Sequence, residues 1–211
     1  MAERLGLRER KKLRTMETIS ELGTALFLRH GFDNVAIADV AVAAEVAKTT
    51  VFNYFPAKED IALYQIRDHV DEPARVVTTK GDDETSVAAL RRHFLAGLAE
   101  RDPRTGLADG RPFLDYQQMV LSTPGLKLRL LEQWMRSEAA LTAALAPLIG
   151  DGPGAVLPAV LAGQIITTQR VLIVRNVERL LTGATSGEVY PTALAEASLA
   201  FDLLERAEQI V

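Results

Sequence analysis

Cysteine is absent from this chain of 211 residues. That excludes disulfide staples, thiolate metal sites and cysteine nucleophiles, and it agrees with a reducing compartment. An overall positive charge is missing too: 24 Lys and Arg stand against 28 Asp and Glu, for a formal net charge of −4. Any nucleic-acid-binding surface must then be a local basic patch. The three histidines, His30, His69 and His93, include no pair three or four residues apart, so the two-histidine zinc helix is lacking. His69 with Asp71 and Glu72 comes nearest to a metal cluster and reads better as a solvated helix end. No Gly-x-Ser-x-Gly elbow, phosphate-binding glycine loop or dinucleotide fingerprint is present. The pattern offers nothing for an enzyme, a metal or a cofactor.

Long apolar runs are scarce. The longest, Ala155 to Val174, is interrupted by Pro158, Gln164, Gln169 and Arg170. A membrane span needs about 20 mainly apolar residues, so this segment is expected to be a buried helix of a soluble protein. The N-terminus is polar and basic with no apolar segment behind it, which predicts no secretory signal and a cytoplasmic location.

What the chain does have is helical periodicity. Leu13, Met16, Ile19, Gly23, Leu26, Phe27 and His30 recur at steps of three or four and define one helix face, which Gly31 ends. Short helices follow near Ile37–Glu45 and Lys48–Phe55. Pro56 breaks the second, and a linking helix is predicted from Lys58 to about Pro73. Polar segments 79–84 and 102–111 read as turn and loop. Longer helices are expected near 85–101, 112–122, 125–148, 154–182 and 187–210. The fold class is therefore all-α, with about nine helices: three in an N-terminal head, residues 1–57, and the rest in a helical body, residues 58–211.

Two short helices joined by a tight turn at Glu45 and Val46 have the dimensions of a helix-turn-helix. Val40, Ala41, Ala44, Val46 and Val51 supply small apolar contacts for the crossing. The second helix then presents Lys48, Thr49, Thr50 and Asn53, donors suited to phosphates and base edges. Upstream, five of the seven residues Arg8-Glu9-Arg10-Lys11-Lys12-Leu13-Arg14 are basic.

The Gly31-Phe32 pair, the small-residue turn and the run Thr50-Val51-Phe52-Asn53-Tyr54-Phe55-Pro56-Ala57-Lys58-Glu59-Asp60 resemble the N-terminal signature of the TetR family, over roughly residues 12–61. The resemblance implies a homodimer that binds double-stranded DNA, releases it on binding a small, partly hydrophobic organic effector, and usually represses transcription from a palindromic operator. It further implies that Thr49, Thr50 and Asn53 face base edges, with Phe52 limited to apolar contact. Lys48, Tyr54 and Lys58 would reach phosphates, and Arg10, Lys11, Lys12 and Arg14 would follow a phosphate strand or minor groove. Three positions depart from the family's common residues. Ala36, Glu45 and Ala47 stand where threonine, glycine and serine are usual, which raises the alternative of a small-molecule-binding helical protein with a weakened head.

For the body, long apolar faces on the last two helices suit a helix-pair dimer interface. Candidate cavity-lining residues are Phe94, Phe113, Tyr116, Met119, Leu131, Trp134 and Met135, with Gln133, Gln164, Thr167 and Thr168 as polar anchors.

Overall fold

The structure is a computed structural model, and it describes residues 6–67, 69–149 and 156–208. Among these the chain is all-α, with no strand. Its helices are α1 Leu7–His30, α2 Ile37–Ala43, α3 Lys48–Tyr54, α4 Lys58–Ala62, α5 Tyr64–Arg67, α6 Glu72–Thr78, α7 Ser86–Glu100, α8 Arg111–Ser122, α9 Pro124–Ile149, α10 Leu157–Leu181 and α11 Ser186–Glu208, plus a 3-10 turn at Pro103–Thr105.

Two expectations change. The first helix runs for 24 residues and begins at Leu7, ahead of the expected apolar face that starts at Leu13. The linking helix is not continuous: it breaks at Leu63, whose backbone leaves the helical region, and again before α6. Pro73 opens α6 instead of ending a helix, because a proline in the first turn has no interior hydrogen bond to lose.

The chain divides into two compact units, Met1–Asp68 with Met119–Leu130, and His69–Gln118 with Leu131–Val211. The compact units therefore do not part at residue 57. Lys58–Arg67 and the start of α9 group with the head.

In the head, α1 buries Met16, Ile19, Ser20, Gly23 and Phe27. A methyl group on Gly23 would come within 2.7 Å of Ile61 Cγ2 and 3.2 Å of Val40 Cγ1, so glycine permits this close approach of α2 and α4. The Ser20 hydroxyl, buried among them, donates to the Ile61 carbonyl at 2.9 Å. Asp60 links two elements: one oxygen accepts from the Ala57 N–H, and the other pairs with Arg129 at 2.7 Å.

The body is centred on Leu90, Phe94, Leu98, Leu141, Leu145, Leu161, Ile165 and Phe201. Full burial of side chains this size contributes about 1.5–3 kcal/mol each. Helices α7, α10 and α11 form its packed layer. Glu208 accepts from the Ser86 and Val87 N–H groups at the start of α7, and Asp109 does the same for Ser186 at the start of α11. The 3-10 turn is pinned to α10 by Asn176 Nδ2, which donates to the Thr105 carbonyl at 2.9 Å. By length and composition alone α10 could cross a membrane. Here Leu161, Ala162, Ile165, Ile166 and Leu172 turn it into the core instead.

Candidate nucleic-acid interface

Alanine cannot cap a helix with its side chain, and the head compensates for this at α2. The Asp39 carboxylate reaches back and accepts from the Ala36 N–H at 2.8 Å. Helix α2 buries Val40 and Ala41, and the turn closes through a bond from Val46 N–H to the Ala41 carbonyl at 3.0 Å. Glu45 sits in that turn with φ 54°, the left-handed region where glycine is at ease and glutamate is strained.

Helix α3 turns Val51 inward, and the Phe55 that follows it is buried edge-on against Tyr64, with ring centroids 5.5 Å apart. That choice of face decides the rest. Lys48, Thr49, Phe52 and Asn53 are exposed, while Thr50 and Tyr54 are half-buried. The Lys48 ammonium lies 5.7 Å from the centre of the Phe52 ring, which is 45% exposed for so large an apolar group.

On α1, positions 8, 11, 12 and 15 share a helical face. With Asn53 and Tyr54 of α3 they line an open cleft of ≈ 690 Å³ whose walls are Arg8, Glu9, Lys11, Lys12, Thr15, Asn53 and Tyr54. Three cations against one carboxylate make it electropositive although the whole chain is acidic. Arg10 and Arg14 are exposed on α1 outside the cleft. Arg8 and Thr15 join the predicted set, and the signal for them was the spacing from Lys11 along one helix face.

Lys58 departs from its expected place. Its ammonium donates to the carbonyls of Phe32 at 2.7 Å and Val35 at 3.2 Å, and sits 4.3 Å from the Phe32 ring centre. The side chain is folded into the loop between α1 and α2. Sequence pattern placed it at the start of a helix but could not show that two loop carbonyls converge there.

The eleven candidate ligand residues are not gathered into one lining. Phe94 lies in the main core, its ring 5.8 Å from that of Phe201. Met119 is buried in the head unit. Leu131, Met135, Gln164 and Thr167 are exposed, Met135 by 70%, and Thr168 is half-buried. Phe113 and Trp134 pack on the edge of the body core, and the Arg170 guanidinium lies 5.5 Å from the Trp134 ring centre. Burial holds the Tyr116 hydroxyl well above the usual phenol range. Helical spacing gave the periodicity of these side chains but not which face meets the core. Gln133 is buried, with its Oε1 unpaired.

Among the described residues no group of three or more His, Asp or Glu is arranged to hold a metal. Glu72 instead accepts from His93 Nε2 at 3.0 Å, contacts Arg104, and has His69 Nδ1 at 3.6 Å. Burial alone would raise its carboxyl. The His93 bond and the nearby Arg104 and His69 outweigh that, holding it below the ordinary glutamate value.

An all-helical protein with a helix-turn-helix whose second helix exposes polar side chains beside a basic cleft has the architecture of a DNA-binding regulator. Residues 19–64 match the model of the bacterial regulatory proteins of the tetR family. The chain is 29% identical over 150 residues to the HTH-type transcriptional regulator TcmR of Streptomyces glaucescens, covering 71% of this chain and 65% of that one. In fold it is similar to NalD, a secondary repressor of the MexAB-OprM multidrug efflux pump in Pseudomonas aeruginosa, with a TM-score of 0.58 at 14% identity over 90% of this chain and 97% of that one. It is also similar to SmeT in complex with triclosan, with a TM-score of 0.57 at 18% identity over 92% and 91%. The chain is thus similar to bacterial regulators of the tetR family over residues 19–64, and to solved members in fold. It spans less than two thirds of the length of the curated relatives it matches.

Proposed function

We propose that the protein is a ligand-responsive transcriptional regulator that binds operator DNA as a homodimer and is released by a small organic effector. One observation carries the reading: α3 exposes Thr49, Phe52 and Asn53 beside the three-cation cleft of α1. DNA binding is assigned to residues 1–57, and effector binding and dimerisation to 58–211. Asn53 suits a bidentate bond to adenine, Thr49 and Thr50 suit either base edge, and Phe52 suits a thymine methyl. Lys48 and Tyr54, with Arg10, Lys11, Lys12 and Arg14, take phosphates and set register.

A second copy of the chain is favoured by the exposed apolar stripes. Val160 and Val171 lie along one side of α10, with Val156 just before its start, and Leu199 and Leu203 lie along one side of α11, all in contact with solvent. Two such helices from each copy make a four-helix bundle. The dimer then presents two α3 helices to half-sites about 34–36 Å apart. The effector reading is supported by the similar fold of SmeT, whose structure holds triclosan. Its release of DNA is limited to the effector's difference in affinity between the DNA-competent state and the other. Repression is the proposed outcome, and the cytoplasm the proposed location, with no membrane role.

The test is a titration of the full chain against the intergenic DNA upstream of its own coding sequence, with competitor DNA, at two salt concentrations. Selective binding whose log affinity falls by about 0.9 per log unit of salt for each phosphate contacted is the expected result. Equal affinity for random DNA at both salts, there and across a genome-wide fragment selection, would sink the reading.

A further inference from the structure

Along α9 the face turned into the body reads Gln133, Ser137, Leu141, Leu145, one residue per step of four, and all four are buried. The two leucines belong to the main apolar core. Gln133 and Ser137 continue the same face as polar groups, each only 6% exposed. The Gln133 Oε1 oxygen is sealed from solvent and has no hydrogen-bond partner. Leaving a buried amide oxygen unpaired is costly, and a leucine in its place would carry no such cost.

We infer that Gln133 and Ser137 form the polar floor of a binding site inside the body, whose ligand is an uncharged molecule carrying a hydroxyl or N–H donor on an aromatic or otherwise apolar skeleton. The inference rests on the reading of the body as an effector-binding module. A donor is required because the amide oxygen can only accept; the Ser137 hydroxyl, one turn on, gives or takes a second bond. Neutrality follows from the surroundings. No ionisable side chain stands on this face, and a buried charge without a partner is far more costly than a buried hydroxyl. Three charged residues near this face in sequence or on α10 are engaged away from it: Arg136 is exposed, Glu138 lies against Gly163 of α10, and Arg170 stacks on the Trp134 ring. The apolar skeleton follows from Leu141 and Leu145, which extend the face, and from Trp134, which packs on the same core.

The probe is 2-naphthol, with naphthalene as the analogue lacking a donor and 2-naphthoate as the charged one. Binding to the full chain without DNA is read by calorimetry and by quenching of Trp134, the sole tryptophan. The expected result is that 2-naphthol binds at least tenfold tighter than either analogue. Gln133→Leu should abolish that preference and raise the melting temperature, since it removes the unpaired oxygen, and Ser137→Ala should weaken 2-naphthol severalfold in an intact fold. The inference is overturned by undetectable binding of 2-naphthol, by equal affinity for naphthalene, by an unchanged preference in Gln133→Leu, or by a lower melting temperature of that variant. Operator binding is measured separately. A chain that binds operator without naphthol selectivity loses this site alone, and a selective chain that ignores operator loses the regulator reading alone.

Discussion

The head and the body both use left-handed backbone at glycine and at non-glycine residues, and one turn from each shows two ways of filling it. In the body the position is Gly106, φ 75°, whose missing side chain would run into the backbone carbonyl of Ile173. In the head it is Glu45, φ 54°, which is exposed and strained only in its own backbone. The same contrast runs through their polar groups. The head spends Ser20, Asp39, Lys58 and Asp60 on tying loops and helix ends together, so its remaining donors point outward. The body places its ion pairs at helix edges, Arg91 to Asp202 at 2.6 Å and Arg179 to Glu196 at 2.6 Å, and leaves one amide oxygen unpaired inside. A head that presents chemistry outward suits a surface for a large partner; a body with unmet polar capacity inside suits a small one.

Substitutions can break this comparison. Gly106→Ala should be the most damaging, at about 2–5 kcal/mol, because it adds left-handed strain to a clash with backbone that cannot swing away. Chemical denaturation would show it, and a loss under 1 kcal/mol would mean the turn is not held against α10. Lys58→Met should cost the head about 1–3 kcal/mol by orphaning the carbonyls of Phe32 and Val35. Its DNA salt slope should stay unchanged if the loop holds the ammonium; a slope smaller by about 0.9 would restore Lys58 to a phosphate.

Glu45→Gly works in the other direction. It should stabilise the head by about 0.5–1 kcal/mol by relieving the left-handed backbone, and tighten DNA binding by removing a carboxylate from the turn before α3. Unchanged affinity would place Glu45 beyond reach of the phosphates. The smallest effect concerns pH. The folded Glu72 carboxyl titrates below its unfolded value of 4.5, so its contribution to body stability is complete above that pH and is lost as pH falls through the folded value. Melting curves of the wild type and Glu72→Gln should therefore converge on acidification below about 4.5. Parallel curves would show that His93, His69 and Arg104 do not act through this carboxylate.

The head was the more legible region. The periodicity of α1, the stop at Gly31, the break at Pro56 and the outward placing of Lys48, Thr49 and Asn53 all depend on neighbours a few residues away and stand in the structure as the pattern predicts, while Thr50, expected with them, is half-buried. Two of its features were not legible. Asp39 takes over a capping bond at Ala36, and Lys58 is drawn to carbonyls 23 and 26 residues earlier. In the body, helix spans were close to prediction, but Phe94, Leu131 and Met135 share similar chemistry and ended in the core or in solvent according to which helix packed beside them.

The sequence by itself determined the helical class, the helix-turn-helix and the likeness of residues 19–64 to the tetR family model, because short-range periodicity, turn residues and a contiguous motif are written along the chain. Tertiary structure alone decided the segmentation of the expected linking helix, the inward capture of Lys58, the joining of α1 and α3 into one basic cleft, and the burial of Gln133. Each depends on which groups far apart in the chain come within a few ångströms of one another, and on the desolvation and hydrogen bonding that follow from that contact.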